Sequence, residues 1–286
     1  MARFDTEQTL RYSPSKQMFT LGGRIVVEQV LERRDARRDT GDANSVLGRL
    51  GAIMDAFDAE TPDLSLSELV TRTQLSKSTT YRLAERLASM GWLQRTGTRY
   101  RLGIRLFELG GLVQNRDRVR ETALPFMEDL YEATHEVVHL GVLDGTDVLY
   151  IDKIAGHRRV TVPTRIGGRM PTHCTGLGKA LLSRTSPEEL IRMFPRGLRP
   201  ATPYTIASVP QLAEHLAEVR RLGYAVEREE ARLGCSCVSA PIIVDRRVVA
   251  AVSVCGPSSR IDPERLASLL KKAASGINAA LASARW

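Results

Sequence analysis

Residues 64–102, LSLSELVTRTQLSKSTTYRLAERLASMGWLQRTGTRYRL, leave their region few shapes to choose from. Two short amphipathic segments sit across a tight turn, and two extended runs flank Thr96-Gly97-Thr98. That order predicts helix, turn, helix and β-wing, with the helix-turn-helix motif at about 67–86. Ser67 is expected to cap the first helix, with Leu69 and Val70 packing inward, and Ser76 to cap the second. From about Lys77 to Met90, Thr80, Leu83, Ala84, Leu87 and Met90 recur at 3/4 spacing and define an inward face. Gly91 stands where a left-handed helix stop belongs.

The opposite face of the second helix carries Ser78, Tyr81, Arg82, Glu85 and Ser89. Between 76 and 105 seven basic side chains face one acid, Glu85, whereas the net charge of +8 is otherwise spread diffusely. A winged motif with this local charge implies a partner that is itself a line of negative charge, double-stranded DNA. Ser76, Lys77, Ser78 and Thr79 at the helix N-terminus suit phosphates. Tyr81 and Arg82 are long enough for base edges. Arg86 and the wing's Arg95, Arg99 and Arg101 belong near the flanking backbone. The bland alternative is a solvated helical hairpin, which explains neither the basic wing nor the one-sided polarity.

A chain of 286 residues with 43% apolar content suits two cores. Residues 1–45 read as an extension, partly disordered, with a short helix at about 25–38 whose Arg33, Arg34, Arg37 and Arg38 alternate with acids. Ser45 precedes a stripe of Val46, Leu47, Leu50, Ile53, Met54 and Phe57, which opens a DNA-binding domain at 46–107. Helix is expected over 104–134, broken near Gly110-Gly111, its apolar residues free to pair with a second subunit. The strands 137–143 and 147–151 flank Asp144-Gly145, a hairpin signal. Helices follow at about 175–183, 187–194 and 209–222, then strands at 224–229, 236–244 and 247–255. A last helix starts at Asp262-Pro263. This is an α+β domain around an antiparallel sheet, spanning 108–286 with its linker helix.

Several function classes drop out. No apolar run approaches the ~20 residues that span a bilayer, and the polar first residues lack a signal-peptide core, so a cytoplasmic protein without membrane contact is expected. Gly176-Leu177-Gly178-Lys179 resembles part of a phosphate loop, but His173 stands where its first glycine must be and Ala180 where Ser or Thr must follow. No nucleophile elbow, metalloprotease helix or paired carboxylates mark an enzyme, and no cofactor or metal is expected. Lys179 is expected to face solvent or cap a neighbouring element. A glycine-bearing turn opening a helix still offers backbone N–H groups to a small carboxylate. Period-two alternation places Cys235, Cys237 and Ser239 on one strand face and Ala251, Ser253 and Cys255 on another. These could be small core residues. With His173 and Cys174 the cysteines could instead gather a metal, or act as a redox switch.

The chain resembles the IclR-type bacterial transcriptional regulators. The likeness runs through the helix-turn-helix segment and RYRLGIRLFELG, then LGVLDGTDVLYIDKIAG, PTHCTGLGKALLS, LGYAVEREEARLGCSCVSAPI and VVAAVSVCGPSSRI, covering roughly 46–286. It implies a winged helix-turn-helix, a linker helix and a GAF-like effector-binding domain. It also implies homodimers or dimers of dimers on pseudopalindromic operator DNA of the nucleoid, answering to a small metabolite. Carried over by position, Gly176 and Leu177 seat the effector's carboxylate, Cys237, Ser253 and Cys255 contact it, and the acidic Glu227 faces it. Cysteine at 255, where some relatives have serine, leans the expectation toward an aromatic or branched-chain carboxylic acid.

Overall fold

A computed structural model describes residues 16–21, 24–29, 45–155 and 164–283, with backbone alone for 16–21, 24–29 and 114–117. Strands β1 (Lys16–Leu21) and β2 (Arg24–Gln29) form an antiparallel hairpin. The helix expected from about 25 is therefore a strand over 25–29, where the β-branched run Ile25-Val26-Val27 favours extended backbone. Residues 30–44, with the four arginines and the disorder expected around them, lie outside the described residues. From 45 onward the chain makes two compact units that divide between Asp117 and Arg118.

The first unit runs α1 (Val46–Met54), β3 (Asp63–Ser65), α2 (Leu66–Thr73), α3 (Lys77–Ser89), β4 (Leu93–Thr96), β5 (Arg99–Leu102) and α4 (Arg105–Gly110). The strands form one sheet in the order β3-β5-β4. Ser45 caps α1 and Ser76 caps α3, each hydroxyl accepting a backbone N–H of the first turn. The α2 cap is Ser65, not Ser67. Its hydroxyl accepts from the Glu68 N–H at 3.3 Å, and Glu68 accepts from the Ser65 N–H at 2.7 Å. Two orphan donors are thus satisfied reciprocally, which a lone Ser67 cap cannot match, and Ser67 falls inside the first turn. Ile53, Leu64, Leu69, Ala84, Leu87, Leu93 and Tyr100 form the core. Met90, expected inward, is the exposed cap residue that ends α3, and Gly91 takes the left-handed conformation after it.

The second unit holds α5 (Gln114–Thr134), β6 (Val137–Asp144), β7 (Asp147–Ile154), β8 (Arg169–Pro171), α6 (Gly176–Leu181), α7 (Pro187–Met193), α8 (Val209–Leu222), β9 (Ala225–Arg228), β10 (Cys235–Val244), β11 (Arg247–Pro257) and α9 (Pro263–Ser283). Its sheet is antiparallel throughout, in the order β8-β7-β6-β11-β10-β9. Strand alternation sorts the side chains onto two faces. Val138, Leu140, Val238, Ala240, Ile242, Val252 and Val254 pack on one face with Ala123, Met127 and Leu130 of α5 and Leu266, Leu270 and Ile277 of α9. Each buried Val, Leu, Ile or Met among them contributes about 1.5–3 kcal/mol. Cys235, Cys237 and Ser239 of β10 and Ala251, Ser253 and Cys255 of β11 point the other way, toward α6, up to the bulge at Ile242/Ile243, past which Val248 takes the α6 side and Val249 the opposite one. Around α6 the lining is Val148, Tyr150, Leu177, Ala180, Leu181, Val219, Ala225 and Ala251. Among the described residues no helix is long and apolar enough to cross a membrane.

Candidate functional site

Two places on the molecule gather the residues singled out by sequence. The first is the exposed face of α3 with the wing. Ser76, Lys77, Ser78, Tyr81, Arg82 and Arg86 are all exposed, and Thr79 is partly so. Ser76 Oγ accepts from the Thr79 N–H and also meets the Ser78 and Thr79 hydroxyls at 3.2 and 2.9 Å, which fixes the start of the helix. Lys77, Arg82 and Arg86 form no ion pair with another described residue, so their charge is presented outward.

Glu85 departs from the outward face assigned to it. Its Oε1 accepts from Tyr100 Oη at 2.5 Å and from Arg95 Nη1 at 3.1 Å, so the one acid of the window is turned into the wing. Burial and this bond push the Tyr100 hydroxyl up to about 12, which keeps it a donor. The wing arginines are held rather than dangling. Arg95 also reaches the Gly97 carbonyl, Arg99 reaches Glu68 and the Asp63 carbonyl, and Arg101 forks onto Gln94 Oε1. Such exposed pairs add little stability, but they pre-position guanidinium groups along the hairpin.

The second place is a cavity between α6 and the sheet of the second unit. It offers about 40 Å³ to the centres of water-sized molecules. All six residues carried over by position, Gly176, Leu177, Glu227, Cys237, Ser253 and Cys255, line it. Gly176 has a steric reason. A Cβ there would lie 2.7 Å from Ser239 Oγ and 3.0 Å from Cys237 Sγ, so only glycine lets α6 approach β10 this closely. Ser253 Oγ is fully buried and makes no hydrogen bond of ordinary geometry among the described residues, the Cys237 thiol being the polar neighbour it acts on. A buried hydroxyl without a partner costs about 1–3 kcal/mol, which a polar ligand atom would offset.

Charge in the cavity is held down by burial. Burial pushes the Glu227 carboxyl up to about 8, with the Cys237 thiol adding to the rise. The backbone N–H groups of Glu230 and Ala231, donating to Glu227 Oε1 at 2.5 and 3.2 Å, pull the other way without winning. Near neutral pH the carboxyl is therefore chiefly a neutral donor. His139 is also neutral, since burial and then the Lys153 charge bring it down to about 3. Its Nε2 lies 2.7 Å from Thr164 Oγ1, and its ring meets Tyr150 edge-on at 5.2 Å.

Sequence reasoning missed His139, Tyr150, Thr164, Met170, Thr175, Ala231 and Arg232 of the lining and left Cys235 outside its binding set. Alternation is the signal that could have found the first two, since it sets His139 opposite in face to Val138 and Leu140, and Tyr150 to Leu149 and Ile151. Arg232 brings the guanidinium of this lining. Lys179 does not reach solvent. It is wholly buried, ion-paired to Glu230, with its Nζ 3.5 Å from the Val226 carbonyl. Every residue of α6 is buried, so the helix has no wet face on which a lysine could lie. His173 is not gathered with the cysteines, because its Nε2 meets the Arg199 carbonyl at 2.8 Å and its ring packs on Phe194. Among the described residues no three His, Cys, Asp or Glu converge as a metal site.

Comparison with known proteins adds two family profiles. One, described as the IclR helix-turn-helix domain, matches residues 46–97, and another, the bacterial transcriptional regulator IclR C-terminal, matches residues 112–279. The HTH-type transcriptional regulator XynR of Escherichia coli is 34% identical over 76% of this chain and 87% of its own length. The HTH-type transcriptional regulator KdgR of Dickeya chrysanthemi is 32% identical over 92% and 88%. Among solved structures, an IclR homolog from Microbacterium hydrocarbonoxydans complexed with 4-hydroxybenzoate superposes with a TM-score of 0.78 at 28% identity, covering 84% of this chain and all of that one. The Thermotoga maritima IclR gives 0.70 at 31% identity, covering 82% and 98%.

Proposed function

Since the chain belongs to the IclR family of bacterial transcriptional regulators, we propose that its α3–wing face reads an operator while the cavity of its second unit binds a small carboxylic acid. It is a DNA-binding regulator and not an enzyme. The matched segments 46–97 and 112–279 support a reader at about 46–107 and a sensor at about 108–286. The operator is proposed to be pseudopalindromic and the protein a homodimer or dimer of dimers, working at the nucleoid in the cytoplasm.

The observation that carries the effector reading is the buried Ser253 Oγ, which has no oxygen or nitrogen partner in a cavity whose other walls are largely apolar. A carboxylate offers that hydroxyl an acceptor, can take the Glu227 proton in a hydrogen bond, and finds a positive charge in Arg232. The Gly176 and Leu177 N–H groups at the opening turn of α6 complete the proposed seat. Leu177, Met170 and the cysteines suit an apolar body, and the relative that holds 4-hydroxybenzoate is a precedent for an aromatic acid in this fold.

The test is a thermal-shift screen of small organic acids, 4-hydroxybenzoate among them, on wild type and Ser253→Phe. A ligand that binds only the native state raises the melting temperature by linkage. At least one acid is expected to raise it for the wild type and none for the variant. Equal shifts in both proteins, or shifts with neither, would move the effector site elsewhere.

A further inference from the structure

Three thiols face this cavity, and two of them are nearly in contact. Cys235, at the start of β10, and Cys255, near the end of β11, have their Sγ atoms 3.3 Å apart. In the sheet register Cys255 lies directly opposite Cys237, so Cys235 is its diagonal neighbour, two residues along the adjacent strand. Bond formation needs the sulfurs about 1.3 Å closer, to the ~2.05 Å of a disulfide. Cys235 is the half-buried member, whereas Cys237 and Cys255 are buried. Cys174, the remaining cysteine, is buried and its thiol donates to the Pro171 carbonyl at 3.7 Å.

We propose that Cys235 and Cys255 are an oxidisable pair built into the cavity wall, converted by a hydroperoxide to an intramolecular disulfide. Cys235 attacks the peroxide, the O–O bond breaks, and the departing oxygen leaves as water from hydrogen peroxide or as the alcohol from an organic hydroperoxide, with the sulfur as a sulfenic acid. Cys255 then attacks that sulfur, the S–O bond breaks and water leaves. Two thiols are oxidised by two electrons in total and one peroxide is reduced. The division of labour agrees with the surroundings. Bonding to Cys255 lowers the thiols of both Cys235 and Cys237 and raises its own, so Cys235, the more exposed of the two lowered sulfurs, is the one a peroxide reaches, and the buried Cys255 keeps its proton until needed. The pair's chemistry does not depend on which ligand the cavity takes. Only its consequence, a wall drawn inward and a changed effector affinity, rests on the effector reading.

The full-length protein, reduced and then exposed to hydrogen peroxide, is denatured, alkylated and weighed. Four alkylated cysteines are expected before oxidation. Two are expected after it, on Cys174 and Cys237, with all four restored by dithiothreitol. Cys237→Ser should still lose two thiols. Cys255→Ser should accumulate a dimedone-trapped sulfenic acid on Cys235. Cys235→Ser, a conservative change at a half-exposed strand end, should keep its remaining thiols over the same exposure. Retention of all four thiols in the wild type, a bond between two chains on a non-reducing gel, or unchanged thiol loss in Cys235→Ser would each overturn the proposal. Fold integrity of the variants is read from far-UV circular dichroism before oxidation.

Discussion

Arg82 and Lys77 stand on the same exposed helix yet ask different things of DNA. Arg82 projects from the middle of the outward face, so Arg82→Ala is expected to cost about 1–3 kcal/mol on operator DNA and to relax the preference for it over random sequence. Lys77 sits in the first turn, where Lys77→Ala should weaken all sequences alike and lower the slope of log affinity against log salt by about 1. Titrations on both DNAs at several salt concentrations separate the two, and equal losses for Arg82→Ala would remove it from base reading. Glu227 gives a pH signature. Below its ordinary value near 4.5 the carboxyl is protonated whether folded or not, and between there and about 8 only the unfolded chain ionises. Stability attached to this group is thus complete below 4.5 and lost as pH rises through about 8. Glu227→Gln removes that dependence, so its melting temperature should gain on the wild type from pH 5 to pH 8. A gain on going down in pH would instead mean a charged, paired carboxylate.

At the scale of elements, the sequence showed most of what the backbone does and part of what encloses the site. The cap at Ser76, the Asp144-Gly145 hairpin and the alternation over 235–239 and 251–255 are local chemistry, and each is found where its residues put it, whereas the α2 cap fell two residues before Ser67. Alternation says which side chains share a face but not which face lies over a void. His139 and Tyr150 therefore became lining residues only once α6 was seen packed across the strands. Lys179 was misjudged for the same reason, because the solvation of a six-residue helix is decided by what surrounds it. Packing between elements makes its own prediction. A Cβ at Gly276 in α9 would sit 2.2 Å from the Phe126 ring of α5, while one at Gly178 would sit 2.1 Å from the Thr172 carbonyl oxygen. Both alanine variants should lose ~1–3 kcal/mol of stability or more to overpacking, read as a lowered melting temperature. Adding Phe126→Leu should recover much of the loss for Gly276→Ala. Nothing comparable is available for Gly178→Ala, since backbone cannot be trimmed. Additive effects in the Gly276–Phe126 double mutant would show that the two do not touch.

For the whole molecule, reading and sensing are carried by separately cored units, and regulation is a coupling between two affinities. A fragment of residues 108–286 retains the six-stranded sheet and both of its helical layers, so it should fold and bind the effector acid without retarding operator DNA. Retardation by the fragment would overturn the division of labour. In the full chain, whatever factor the effector applies to operator affinity, the operator must apply to effector affinity, which calorimetry of the two ligands in both orders can check. The sheet order bears on how such a protein endures crowding and storage. Its edges are β8 and β9, of three and four residues, while the long strands β10 and β11 lie inside. Each of those two edge strands offers a passing chain only a few unpaired backbone groups to template on, which gives strand-by-strand growth into fibrils little purchase there. Aggregation on heating should then track global unfolding rather than precede it.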